Sequence, residues 1–520
     1  MRILVALVAV LAVPATASAA TIEVDGSTGA DSPTCGAAGS PCQTIGQGVE
    51  NAAGGDTVQV APGTYNESQV DIDKAISVAG AGADQTTLDG GQASDFTRNG
   101  TLRLSAPTGD ASVSGLTVTG IGSPAVGGTP TGIVVEPDGN TGGPSYTISN
   151  VRVTGNGAGG SDYGFWCENN NADVVIEGSE IANNDFNPLL WENCTGSLDL
   201  RDNTIEKTAG TAPSSAFFAM VYQGREVTAP QRIRDNDITG SGVSFNGAFI
   251  GPDVDNPDGE GTYSDVAITG NTISSGGTAV SLNNLAGTGS DGTISDAVIT
   301  HNTLTGAGGG DGIRLHGAVP GTTIDSNTVL GFGNGLHVRG AGSGEPSGTT
   351  ALANRIAGNG TGARNTAGAG VSAENNWWGC NAGPGGAGCA PNVGSVDADP
   401  WLVMSIAASK SEVALNEASE ISVDLLQNSA GETAPGAFPE GGEVAFGSNI
   451  GTVNPATDAL AARQAGTTFS SAQSGNANVS ATFDGQTVSV PIRVLSPCKL
   501  INLNIKLLEP FGLPPINICL

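Results

Sequence analysis

Basic side chains are scarce in this 520-residue chain: 19 Lys and Arg face 50 Asp and Glu, with three His, giving a formal charge of -31 and a pI near 4.1. That balance disfavours nucleic acid or an anionic membrane as a partner and suits a soluble, exposed surface. Aromatic residues make up 4% and charged residues 13%, and long runs of Ala, Leu, Glu and Lys at helical spacing are missing, which argues against a mainly helical fold. The one long apolar run, Ile3 to Val13, is too short to span a bilayer. No cysteine pair has the spacing of a zinc site. No Ser-His-Asp motif, phosphate-binding loop or metalloprotease His pair appears either.

What is plentiful is glycine, at 80 residues, which with Asn, Asp and Ser turns predicts many short strands. Within residues 1–20, Arg2, the apolar run, Pro14 and the small residues Ala17, Ser18 and Ala19 read as a secretory signal. The mature protein is therefore expected to be secreted, extracellular or attached to a cell surface. Eight cysteines fit an oxidising compartment and fall into near pairs: Cys35 with Cys42, Cys167 with Cys194, Cys380 with Cys389 and Cys498 with Cys519. Spacing alone leaves 105 connectivities open.

An Asn followed two residues later by an aliphatic recurs at Asn203, Asn236, Asn271, Asn302, Asn327 and Asn354, with spacings of 33, 35, 31, 25 and 27 residues. A loose period of this size means one supersecondary unit stacked many times. An aliphatic usually precedes the Asn by three, as Leu200, Ile233, Ile268, Ile299 and Ile324 do. Each unit thus holds a strand, an Asn corner and another inward apolar residue, and stacked Asn side chains can satisfy corner groups up and down the stack. The expected fold is all-β: a solenoid, residues 21–405. A capping helix near 43–53 follows from apolar residues at 45, 49, 52 and 53. Alternating strands over 409–495 predict a small β-sandwich, and 496–520 a disulfide-closed tail.

The run from Gln43 through Gly55 and Asp56 to Ala61-Pro62-Gly63-Thr64-Tyr65 resembles the opening of right-handed parallel β-helix proteins of the pectin-lyase-like superfamily. Asn375-Asn376-Trp377-Trp378-Gly379, with Asp399, Pro400 and Trp401, resembles their closing coil. The resemblance implies a fold, but that fold hosts lyases, hydrolases, adhesins and proteins without chemistry. The family's paired aspartates with Gly-His-Gly and Arg-x-Lys segments are absent, and Lys74 and Lys207 are the only lysines in the solenoid. Gly451 to Pro455 and Gly475 to Gly485 resemble bacterial Ig-like modules of the invasin type, which implies a spacer.

A second strand recurs between the Asn corners, beginning at Ile133, Phe165, Leu189, Phe217, Phe249, Val280, Ile313, Leu336 and Val371. Its second and fourth positions should face outward and form columns. The fourth position stacks Glu136, Glu168 and Glu192. Glu168 and Glu192 on adjacent rungs suit a retaining glycosidase pair, and Glu136 with Glu192 the inverting separation. Trp166, expected exposed, with Tyr163 and Phe186, would offer a platform for a sugar ring. With Asp162 and Asp185, the same carboxylates could instead hold calcium, or simply be solvated. The other constellation places Arg314 and His337 at the second position and His316 and Arg339 at the fourth. These suit the acid groups of a polysaccharide, or pair with Asp311 and Asp325. The expected function is noncatalytic binding of, or structural association with, extracellular polysaccharide. The alternative is a lyase or glycoside hydrolase acting on an acidic polysaccharide.

Overall fold

The computed structural model describes all residues except 1–18, 68, 92–99, 107–108, 121–130, 137–142, 157–162, 185–186, 208–214, 222–224, 241–245, 253–260, 285–291, 342–343, 497–499, 504–515 and 520. The secretory-signal expectation, Asp162, Asp185, Phe186 and the Cys498–Cys519 pairing involve residues outside that set. Among the described residues no helix is long and apolar enough to cross a membrane.

The chain coils through three parallel sheets as a right-handed parallel β-helix, the sense that parallel crossovers follow. Among the described residues the first sheet has 14 strands, from Thr21–Val24 to Val396–Asp397. The second has 11, from Gly63–Asn66 to Arg355–Ala357, and the third has 11, from Val70–Ile72 to Thr361–Asn365. Alternation along each strand sends one side chain in and the next out. The aliphatics flanking each ladder Asn accordingly build the core: Leu200, Ile233, Ile268 and Ile299 are fully buried, as are Ile205, Ile238, Ile273 and Leu304.

Between the first and second sheets the corner is set by the Asn ladder. The backbone N–H and Nδ2 of Asn203 both donate to Asn236 Oδ1, each at 3.0 Å, and the pattern repeats through Asn271, Asn302, Asn327 and Asn354. It runs one step further, to Asn376 in the closing Asn-Asn-Trp-Trp-Gly run, whose Oδ1 accepts from Asn354. The residue before each of these Asn turns the corner with positive φ: Asp202, Asp235, Gly270, His301, Ser326, Ala353 and Asn375. A strand of the second sheet starts at the very next residue in every rung from Asn203 to Asn354. Over the same rungs, two to seven residues separate the second sheet from the third, and five to thirteen separate the third from the next strand of the first. Length variation therefore brackets the third sheet.

A helix, Ile45–Asn51, covers the N-terminal end, with Thr44 as its N-cap accepting from Gln47 N–H at 3.2 Å. Ile45 and Val49 seal the first coils, and Lys74 Nζ donates to the carbonyls of Val49, Glu50 and Ala52, completing the helix's C-terminal end. Disulfides join Cys35 to Cys42, Cys167 to Cys194 and Cys380 to Cys389.

Beyond Trp401, strands that pair antiparallel, apart from the parallel pair of Glu412–Val413 with Gln486–Val494, form a sandwich. One sheet runs Leu402–Ala408, Ser419–Asn428, Gln464–Ser470, Thr452–Asn454, and the other Glu412–Val413, Gln486–Val494, Gly475–Phe483, Glu443–Ser448, Thr457–Ala459. It is docked on the last coils. Trp377 is buried in the sandwich core while Trp378, its neighbour, is buried in the solenoid core, as alternation requires. Trp377 Nε1 donates to Asp484 Oδ2 at 2.9 Å, and Arg355 makes a two-point pair with the same carboxylate while lying 4.6 Å over the Phe483 ring.

Candidate functional site

The third sheet carries the candidate residues on its outer face. Its register aligns Ile133, Phe165, Leu189 and Phe217, so Glu168 stands beside Glu192 and Trp166 beside Leu190. Two alignments read from the sequence are corrected. Ala248, not Phe249, pairs with Phe217, because Phe217-Phe218 and Ala248-Phe249-Ile250 are apolar in both phases and alternation gives no cue. Val371 belongs to the first sheet, and Ala363 follows Leu336 in the third. The interval from Leu336 to Ala363 equals the 27 residues from Asn327 to Asn354, a signal that locates the rung.

Around the acidic column, Glu136 is held by Arg103, whose Nε lies 3.3 Å from Glu136 Oε2 and whose Nη1 lies 2.8 Å from Asp71 Oδ2. Arg103 is fully buried although it points outward, and nothing in its sequence neighbourhood announces that role. Glu192 Oε2 accepts from Trp166 Nε1 at 3.1 Å. Burial, then the charges of Glu136 and Glu192, push the Glu168 carboxyl above its ordinary value. Trp166 is not the exposed platform expected: it is 8% exposed, packed on Val134 and Leu190 with Tyr163 beside it, ring centroids 5.7 Å apart. The Cys167–Cys194 disulfide lies directly inside these rungs, with Trp191 stacked on Phe165. Among the described residues, no group of three or more His, Cys, Asp and Glu is placed to hold a metal ion.

Three rungs separate Glu192 from Arg314, so four strand spacings, about 19 Å, divide the two regions. There Arg314 pairs with His337 and His316 with Arg339 in register, and Arg364 follows His337. Three Arg and two His thus occupy three successive rungs. Asp311, 3% exposed, anchors them: Arg314 Nε donates to its Oδ2 at 2.6 Å, Asn334 Nδ2 to its Oδ1 at 2.7 Å, and His337 Nδ1 lies 3.0 Å from Oδ2. Burial opposes ionisation of Asp311, but His337, Asn334 and Arg314 outweigh it and hold the carboxyl at about 2. Burial, then Arg339, Arg314 and His337, push His316 down to about 4, so it is neutral at pH 7. Asp325 is not part of this cluster. It lies on the first sheet, and its carboxyl, pushed up by burial, faces His301.

The chain matches no protein-family model and no curated protein. Among solved structures it is similar to the A-module of Azotobacter vinelandii mannuronan C-5 epimerase AlgE6, at 16% identity, covering 68% of this chain and 92% of that one, TM-score 0.44. It is similar also to the Dettilon tailspike protein, at 12% identity, 91% and 92% coverage and TM-score 0.48. A third is pectate lyase Pel9A, at 13% identity, 74% and 79% coverage and TM-score 0.32. At these values the likenesses carry no argument about activity.

Proposed function

We propose that this is a secreted or cell-surface protein that binds an acidic extracellular polysaccharide along the outer face of the third sheet, without catalysis. The observation that carries the reading is the column of Arg314, His337 and Arg364 beside His316 and Arg339, raised on a molecule of charge -31. Asp311 neutralises one charge of that column and fixes Arg314 in place, leaving Arg339 and the exposed Arg364 for carboxylate or sulfate groups. In this reading the C-terminal sandwich is an Ig-like module of the invasin type.

One observation favours a second, hydrolytic reading: Glu168, with its raised carboxyl, stands in register with Glu192, which Trp166 hydrogen-bonds. Two carboxyls in unlike environments on adjacent rungs are the ingredients of acid and nucleophile roles. The test is a screen of the purified protein against acidic and neutral polysaccharides, following binding, new reducing ends and unsaturated uronate absorbance. Binding without turnover, weakened roughly tenfold by Arg339→Ala and by raised salt, is the expected result. Turnover abolished by Glu168→Gln would establish the hydrolytic reading instead.

A further inference from the structure

Two cleavage frames fit the small residues that close the secretory signal: Ala17-Ser18-Ala19, which leaves Ala20 as the first residue of the mature chain, and Ser18-Ala19-Ala20, which leaves Thr21. The first coil distinguishes them. Strand Thr21–Val24 pairs in parallel register with Thr57–Val60, so Ala20 and Asp56 stand side by side one residue before the ladder. Ala20 is part of that pairing: its carbonyl accepts from Thr57 N–H at 2.9 Å, and its own N–H donates to Asp56 Oδ1 at 2.7 Å. The other oxygen, Asp56 Oδ2, accepts from Ala53 N–H at 2.8 Å, closing the turn that follows the capping helix. One carboxylate thereby ties the first strand to the cap.

Asp56 is 9% exposed, and the N–H groups of Ala20 and Ala53 hold its carboxyl below the ordinary value, so it is ionised at pH 7. Among the described residues no Lys, Arg or His side chain pairs with it. A largely buried carboxylate without a cation is costly, and the 2.7 Å separation suits a bond between an ammonium and a carboxylate. We propose that the leader is cut between Ala19 and Ala20, and that the α-ammonium so formed is the missing cation, pairing with Asp56 and locking the first coil to its cap. In the step, a signal-processing peptidase adds water across the peptide bond: the hydroxyl goes to the Ala19 carbonyl carbon, the C–N bond breaks, and the nitrogen takes the proton. The leader departs with a carboxylate, and Ala20 is left with an ammonium at the atom that was a neutral donor in the precursor. The N-terminal coil therefore closes fully only after processing. Cutting after Ala20 instead would remove both of its bonds, to Thr57 and to Asp56. The proposal rests on the secretion reading above and is independent of any polysaccharide.

The first test is N-terminal sequencing, with intact mass, of the chain recovered from an exporting host. Ala20 is the expected first residue; Thr21 or any other processed start overturns the proposal and leaves secretion standing. Recovery of the uncut chain alone defeats the secretion reading with it. The second test compares two chains released from a cleavable fusion under oxidising conditions and running to Leu520, one beginning at Ala20 and the other at Ser18, where the Ala20 N–H stays neutral. Hydrogen exchange at the Ala53 and Thr57 amides should be roughly tenfold slower in the chain beginning at Ala20. Asp56→Asn should remove most of that difference. Equal exchange in the two chains with Asp56 intact overturns the pairing, and that comparison stands even where the Asp56→Asn chain fails to fold. A difference that survives Asp56→Asn undiminished also overturns it, because the ammonium then acts on another group.

Discussion

Asp311 shows how much one buried carboxylate organises. Its two oxygens orient Arg314, Asn334 and His337 from two rungs, so Asp311→Asn should free the column and cost about 1 to 3 kcal/mol of stability. Its carboxyl falls from an ordinary value near 3.8 to about 2 on folding. The stability it adds is therefore present above about pH 4 and lost as pH drops through about 2. Thermal unfolding of Asp311→Asn across that window should show a shallower acid limb than the parent. His316 acts in a separate window, because its value drops from 6.5 to about 4. Between those values the unfolded chain takes a proton that the folded one resists, so stability declines as pH falls from 6.5 toward 4. Replacing His316 with Gln should remove that slope, and NMR titration of the ring should give the shifted midpoint directly.

At the scale of elements, the Asn corners were legible because each demands one residue type at one place, with a positive-φ residue before it and apolar residues at fixed offsets. Removing the amide in mid-ladder, as in Asn327→Ala, strands the N–H of Asn302 and takes the Nδ2 donor from the Ile299 carbonyl, and should cost about 2 to 4 kcal/mol, read as a fall of several degrees in Tm. The strand-facing columns were legible where polar and apolar residues alternate, as at Ile313 to His316. They were illegible where both phases are apolar, as at Phe217-Phe218. The burial of Trp166 and the pairing of Arg103 with Asp71 and Glu136 depend on contacts between rungs more than twenty residues apart, which no local pattern reports. The rungs bearing Glu168 and Glu192 are further tied by Cys167–Cys194, closing a loop of 27 residues. Replacing both cysteines with Ser should cost roughly 3 to 4 kcal/mol on the chain-entropy account, checked by melting with and without reductant.

For the whole molecule, the sandwich is joined to the solenoid through Arg355, Asp484, Trp377 and Phe483. A spacer on a free linker needs no such joint. Asp484→Ala leaves a half-buried guanidinium and an indole N–H without their acceptor. It should lower the sandwich's melting transition in calorimetry while the solenoid transition holds. A double-mutant cycle of Arg355→Ala with Asp484→Ala should give a coupling of about 1 to 3 kcal/mol.

The uneven spacing of the ladder Asn has a consequence for how such a chain can be altered. The segment from the first sheet through the Asn corner into the second is of nearly fixed length, and the two connections beside the third sheet absorb the differences. An extra residue inserted between Asn327 and Thr328 would flip every inward side chain of Thr328–Leu330 outward and unzip the corner. The same residue added after Gly317 or Arg339 would only lengthen a connection that already ranges from five to thirteen residues. The solenoid thus behaves as a rack with interchangeable fittings on one side, and loop grafting beside the third sheet can reshape the proposed recognition face while the rack stays unaltered.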